Sequence, residues 1–404
     1  MMLLNKNQTN KKPIQVGILE ARRHPAVLYT FCKICKTQDT EVTVFTTSSL
    51  FNRLKTWLDD THQFTFIIKK NEQTLHSFLK HVESYCETQI DLLFVNTIHE
   101  TWYDLFHFLR FNPDTPKILT IHHLHAWFEP EKHMKHPSFF HKLNIKLMKP
   151  RLKKILSYYD AFNVIYPPLK DYALSNLSIE KPVFTLPSSV FEEKNVSEKI
   201  NKKSRKLTLV LPGLVQKHRK NFTLVLSTLK SLPTSYNKKI TLILLGTAFD
   251  EDGKKIIRQF VKLTNKGITI HTFHEFIDDE LFYSHIEQSD LLFLPIKIHT
   301  KSDNGIDEIY GKSVGSGVVY DAIKYAKPVI IPESFTMFSN FQPATLTYTS
   351  QKTLAQLLKN CIDHPELISE KQNEAQHHVR HFSLDKLQHY FNDVILTWFY
   401  QQKN

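Results

Sequence analysis

Tyr310-Gly-Lys-Ser-Val-Gly-Ser-Gly-Val-Val-Tyr-Asp-Ala-Ile-Lys-Tyr-Ala-Lys-Pro-Val-Ile-Ile-Pro332 runs from a glycine-rich loop into an apolar helix and then a strand. The helix is expected from Val318 to Tyr325 and the strand from Pro328 to Ile331, with another strand upstream at Leu291 to Leu294. Glycine is scarce in this chain, nine in 404 residues, yet Gly305, Gly311, Gly315 and Gly317 fall within thirteen positions. A loop rich in Gly and Ser at the carboxyl end of a strand, opening a helix, suits an anion. Its N–H groups can approach closely, and the helix dipole favours negative charge. The crevice beyond the carboxyl ends of parallel strands is also where open α/β sheets bind ligands.

Working outward, short apolar runs alternate with helical patterns on both sides of this loop. The first series has strands at Ile14 to Leu19, Val42 to Phe45, Phe64 to Ile68, Asp91 to Val95, Lys117 to Ile121, Ala161 to Ile165 and Pro182 to Leu186. The second has strands at Leu207 to Leu211, Ile240 to Leu245 and Ile268 to Thr272, then the two already named. Continuous apolar strands separated by helices are the pattern of parallel sheets covered on both faces. The fold class is therefore α/β: two Rossmann-like domains, at 13–190 and 207–382, joined by a basic linker at 191–206. A terminal segment, 383–404, places Leu384, Leu387, Phe391, Val394 and Trp398 at helical spacing. That amphipathic C-terminal helix must bury its stripe, either on its own domain or across on the first.

Composition narrows the class. Hydrophobic residues are 41% and charged residues 23%, which excludes intrinsically disordered and collagen-like chains. No stretch approaches the roughly 18 apolar residues of a membrane span. The opening MMLLNKNQTNKKPIQVGIL has no apolar core of a secretory signal, so a cytoplasmic location is expected. Cys32 and Cys35 form a CxxC late in a helix with no second pair, read as two helix thiols. The net charge of +12 is local: 131–154 carries eight Lys/Arg against one Glu, and 194–206 carries six against one.

Several side chains are candidates by type and place. Asp321 lies one turn into the helix after the glycine loop, where a carboxylate could accept hydrogen bonds from a ribose diol; the plain alternative is a helix residue at a favourable N-terminal position. Leu209 to Gly213 ends a strand, and Lys217, Arg219 and Lys220 follow before a helix at Phe222, placing cations to clamp a diphosphate or simply to be solvated. His122, His123 and His125 cluster, but neighbours on an extended segment point to opposite faces, so no metal site is expected.

Four stretches in order, LPGLVQKHRKNFTLVLSTLKSL, ITLILLGTA, FYSHIEQSDLLFLPIK and YGKSVGSGVVYDAIKYAKPVIIP, resemble the donor-binding half of GT-B glycosyltransferases. The likeness is to family 4, the retaining nucleotide-sugar enzymes; the first half matches more loosely, through strand order and TIHHLHAWFEP. The resemblance implies two domains facing across a cleft. It also implies sugar transfer from a nucleotide-sugar to a glycan or lipid-linked acceptor, in cell-surface polysaccharide synthesis. No cofactor or metal is implied, since the nucleotide-sugar is a substrate. The family's Glu-x7-Glu pair falls on Ser313 and Asp321, with Asp307 or Glu308 the nearby carboxylates that could substitute for the first outside its register. The family's basic pair falls on Arg219 and Lys220, and its acceptor-side histidine on His122, giving the catalytic set. Donor contacts implied are Gly213, Gly311, Ser313, Gly315, Ser316, Gly317, Asp321 and Glu308. Where the family has a glycine-rich loop after the first strand, this chain reads Leu19-Glu-Ala-Arg-Arg-His-Pro25. Were the chemistry inverting, His122 or Glu20 would be the first candidates for a base. The main alternative is a non-catalytic nucleotide-sugar or glycan-binding member of the fold.

One basic segment remains. Lys142, Lys146, Lys149 and Lys153 recur at helical spacing, with Met148, Leu152, Ile155 and Tyr159 on an apolar face, and Pro150 is expected to kink or divide the helix. Such a helix suits an anionic membrane surface at the inner face, or it packs on the sheet with its lysines solvated. Nucleic acid is the less favoured partner.

Overall fold

A computed structural model of the chain describes residues 12–135, 137–193 and 206–403. The first sheet has seven parallel strands: β1 (Ile14–Glu20), β2 (Thr40–Thr47), β3 (Phe64–Lys69), β4 (Leu92–Val95), β5 (Lys117–Ile121), β6 (Ala161–Val164) and β7 (Val183–Thr185). Their spatial order is 3-2-1-4-5-6-7. The second sheet has six parallel strands, from β8 (Leu207–Pro212), β9 (Ile240–Leu245), β10 (Thr269–Thr272), β11 (Leu291–Phe293), β14 (Val329–Pro332) and β15 (Thr345–Tyr348). They lie in the order 10-9-8-11-14-15. Both sheets reverse direction beside their first strand, which leaves a crevice at its carboxyl end. The apolar runs explain the sheets: β4 and β8 are buried along their whole length, covered by helices on each face. Most of the basic linker expected at 191–206, namely 194–205, lies outside the described residues.

Between β11 and β14 an antiparallel hairpin intervenes, β12 (His299–Lys301) with β13 (Asp307–Ile309). Its three-residue strands carry no apolar alternation that a sequence reading could detect. The two domains share one continuous apolar core. Tyr166 of the first domain is its joint, with ring contacts to Tyr320, Phe335 and Phe338 at centroid distances of 6.3, 6.3 and 5.3 Å.

The basic segment is one helix, Phe139–Tyr158, unbroken by Pro150. This corrects the expected division. Pro150 is exposed, so water can take the carbonyl that its missing N–H leaves free. Ile145, Met148, Leu152 and Ile155 are buried while Lys142, Lys146 and Lys153 are exposed. Lys149 is ion-paired with Glu131, which takes it out of a uniform lysine stripe.

The C-terminal segment crosses back to the first domain. Phe391 and Trp398 join the core formed by the helix Pro25–Cys35 and the β1 side of the first sheet. Phe391 meets Phe94 at 6.2 Å and Trp398 meets Phe184 at 5.3 Å between ring centroids. The Gln388 side chain donates to the Lys33 and Lys36 carbonyls at 3.0 and 2.6 Å, capping the end of that same helix. A π-helical turn at Phe391–Leu396 shifts the stripe. One extra residue in that turn turns Ile395 inward, and Val394, expected on the apolar face, is exposed. Ile395→Ala should therefore cost about 2–4 kcal/mol and Val394→Ala less than about 0.5 kcal/mol. Equilibrium urea unfolding of the two variants checks the pair; equal losses would contradict the shifted register.

Candidate functional site

A cleft of about 660 Å³ opens between the two domains. The loop after β1 contributes Arg23 and His24, the loop after β4 Thr97, His99 and Glu100, and the end of β5 His122 and His123. From the second domain come Gly213, Arg219 and Lys220 after β8, Lys301 and Asp303 from the hairpin, and the 314–321 segment. Parallel strands point their carboxyl ends the same way, so side chains 75 residues and more apart in sequence converge here.

Of the residues expected to bind a donor or act in catalysis, eight line this cleft: His122, Gly213, Arg219, Lys220, Gly315, Ser316, Gly317 and Asp321. Gly317 begins the helix Gly317–Lys324, and a Cβ built on it would meet nothing within 4 Å. Bare backbone at a helix N-terminus thus faces open cleft, as an anion-binding loop requires. Gly213 turns with φ +82°, a left-handed conformation that suits glycine at the end of β8.

Gly311, Ser313 and Glu308 do not line the cleft, and the expectation is corrected for these three. Gly311, at φ +80°, is pressed against the Thr336 backbone. Ser313 is fully buried; its hydroxyl accepts from the Ile309 N–H at 2.7 Å and donates to Glu308. Glu308 is also fully buried and accepts the Ala126 N–H at 2.9 Å, at the start of the first-domain helix Leu124–Phe128. Its carboxylate therefore faces the domain interface, because a helix N-terminus there supplies the donors.

The cations divide by what they already hold. The Lys220 ammonium is buried and donates to the carbonyls of Pro212, Gly213 and Leu214 at 2.6, 2.8 and 3.2 Å. Burial pulls its pKa down to about 7, while three carbonyls for three N–H groups are what an ammonium needs. Lys220 thus shapes the β8 loop. Arg219 beside it is exposed at the cleft, with no carboxylate in ion-pair range among the described residues. A third cation was missed in the sequence. His123 lies 3.3 Å from Glu100, and although burial opposes charge, that carboxylate raises the imidazole pKa to about 9. Glu100 follows β4, so the strand-end rule could have found it.

His122 behaves oppositely. Burial lowers its pKa to about 4; its Nε2–H donates to the Asn96 carbonyl at 2.9 Å, and its ring stacks on His24 at 4.6 Å. The carbonyl fixes the tautomer, so at neutral pH the lone pair is on Nδ1. Glu20, the other candidate base, is fully buried, bonded to Thr97 and outside the cleft lining. Asp321 has its pKa raised to about 7 by burial, opposed by Lys324. The second domain is held closely: Tyr320 donates to the Ile165 carbonyl at 2.7 Å, and Arg53 clasps Asp279 through two N–H groups.

No protein-family model matches the sequence, and no curated protein sequence does. Solved structures match the fold. Sucrose-phosphate synthase from Thermosynechococcus elongatus aligns with TM-score 0.64 and 13% identity, over 96% of this chain and 100% of its own. A glycosyltransferase from Rickettsia africae aligns with TM-score 0.61 and 12% identity, over 95% and 98%. An α,α-trehalose-phosphate synthase (UDP-forming) from Burkholderia vietnamiensis aligns with TM-score 0.56 and 9% identity, over 98% and 100%. At such identities the likeness shows the architecture: this chain has the GT-B fold, two Rossmann-like domains facing across a cleft.

Two outcomes follow from this geometry. Gly317→Ala should leave thermal stability unchanged or raise it by up to about 1 kcal/mol, yet weaken binding of any ligand that needs the bare backbone; calorimetric titration with nucleoside diphosphates reads both effects. Histidine-ring NMR should show His123 titrating near 9 and His122 near 4. The His123 value lies above the unfolded one, so the pair's stabilisation is full below the ordinary histidine range and is lost as pH rises through about 9. Glu100→Gln should drop the His123 value below neutrality; an unmoved titration would discard the pairing.

Proposed function

We propose that this chain is a glycosyltransferase that moves a sugar from a nucleotide-sugar to a glycan or lipid-linked acceptor, in the synthesis of cell-surface polysaccharide. The observation that carries the reading is the open Gly317 backbone at a helix N-terminus, with exposed Arg219 on the same domain's cleft wall and Asp321 one turn along the same helix. In this reading the 315–317 backbone and Arg219 hold the diphosphate, and Asp321 accepts the ribose hydroxyls. His123, kept cationic by Glu100, adds a fixed positive charge as the leaving diphosphate departs, and His122 presents a neutral Nδ1 to the reacting sugar. The side chains and loop N–H groups meet the developing charge, and the reading includes no metal. Retention of configuration rests on the resemblance to family 4. The same reading places the enzyme in the cytoplasm at the inner face of a membrane, with Lys142, Lys146 and Lys153 toward anionic lipid. No helix among the described residues is long and apolar enough to cross one.

Ser313 in place of the family's first glutamate favours a second reading, a nucleotide-sugar or glycan-binding protein without turnover. Donor hydrolysis or transfer separates the two.

A thermal-shift panel of UDP, GDP, ADP and CMP with their sugars tests the site. A ligand at about 100 times its Kd adds roughly 2.7 kcal/mol, a shift of several degrees. One nucleotide should shift the midpoint; none doing so would refute the donor site. Asp321→Asn should weaken that nucleotide about tenfold, as expected for a lost charge-assisted hydrogen bond. Ribose hydroxyls favour the carboxylate, so wild-type affinity should fall as pH drops below about 7, and Asp321→Asn should flatten that profile.

A further inference from the structure

Fifteen large apolar side chains are exposed among the described residues, and seven of them lie on two neighbouring helices of the first domain. The helix Trp102–Phe108 presents Trp102, Tyr103 and Phe106. The helix Phe139–Tyr158 presents Phe139 and Phe140, 75% and 80% exposed, with Leu143 and Leu147 further along. The helices are stitched side by side: the Trp102 indole N–H donates to Asn144, and the Arg151 guanidinium lies 4.6 Å over the Trp102 ring. Monomeric proteins seldom gather apolar groups this way without a partner.

The longer helix carries charge of one sign. It contains no acidic residue in twenty, and exposed Lys142 and Lys146 are interleaved with its apolar groups. Arg110 lies 3.8 Å over Phe106 at the other edge. A second copy meeting this face about a two-fold axis would set these cations against their own equivalents. An anionic phospholipid surface has the complementary sign. It also has a headgroup zone suited to Trp and Tyr, and an apolar layer for the paired phenylalanines.

The surface adjoins the cleft. A Cβ at Gly305, in the β12–β13 turn, would come within 2.9 Å of the His141 ring, and this hairpin supplies Lys301 and Asp303 to the cleft wall. We propose that the two-helix aromatic and basic surface seats on an anionic phospholipid bilayer. Seated there, it turns the cleft toward an acceptor held in that bilayer; this second part rests on the glycosyltransferase reading.

Co-sedimentation of the full chain with phosphatidylcholine vesicles, with and without phosphatidylglycerol, tests the seating. Wild type should prefer the phosphatidylglycerol vesicles by at least about tenfold. Lys142→Glu with Lys146→Glu should abolish that preference, and Phe139→Ser with Phe140→Ser should weaken binding by roughly tenfold or more. All four side chains are solvent-exposed, so these variants should keep the wild-type melting temperature. Quenching of tryptophan fluorescence by brominated lipid should disappear in Trp102→Phe. Wild type left in the supernatant with both vesicles, or variants that bind like wild type, would overturn the proposal. So would self-association abolished by the phenylalanine variant without vesicle binding. The nucleotide thermal shift should persist in every variant. Lost vesicle binding with an intact shift touches only the seating, whereas intact vesicle binding without any shift touches only the donor site.

Discussion

Glu308 fixes the relation between the two halves of the molecule. Its carboxylate is carried by a three-residue strand of the second domain and is buried against the first, where it accepts the Ala126 N–H and the Ser313 hydroxyl. Burial pushes its pKa up to about 7, and the His123 charge, the Ser313 hydroxyl and the Ala126 N–H pull the other way. A buried carboxylate is tolerable only while these donors stay in place, since each unmet group costs on the order of 1–3 kcal/mol. The donors lie in the 124–126 segment and in the glycine loop, so both are held in one geometry with the hairpin. The Leu124 N–H to the Ser313 carbonyl, at 2.9 Å, and the His123–Val314 bridge complete the seam.

This seam sets the polarity of the cleft. By anchoring 123–126 it brings His123 beside the glycine loop, and Glu100 behind it keeps the imidazole charged. Lys220 is occupied with three backbone carbonyls, whereas Arg219 and His123, one from each domain, face the cleft together with Arg23 and Lys301. His122 is kept neutral by burial and held to one tautomer by a backbone carbonyl. Two adjacent histidines thus have opposite charge states, decided by a carboxylate beside one and a carbonyl beside the other.

The resemblance to family 4 meets its sharpest departure at Ser313. A carboxylate is present nearby, five residues earlier at Glu308, but it is turned into the domain interface. Ser313 itself bonds that carboxylate, so the two residues form one interior pair. Recognition of a donor sugar at this position would fall to backbone and to His123, which is consistent with a rebuilt site as well as with a binding protein.

The sequence by itself determined the two parallel sheets, because fully buried strands must be continuous apolar runs whatever they pack against. It also determined that a glycine loop opens a helix with Asp321 one turn along it, since a loop and a helix turn are local and their spacing is written in the chain. It left open where the terminal helix docks, for an apolar stripe states that it must be covered and not by what. The tertiary structure decided that it crosses to the first domain, and a π-turn exchanged Val394 for Ile395 on its inner face. The tertiary structure also decided the roles of Lys220, Glu308 and His123. A charge state depends on burial and on partners brought from distant positions, such as Glu100 beside His123, and no spacing along the chain encodes that proximity.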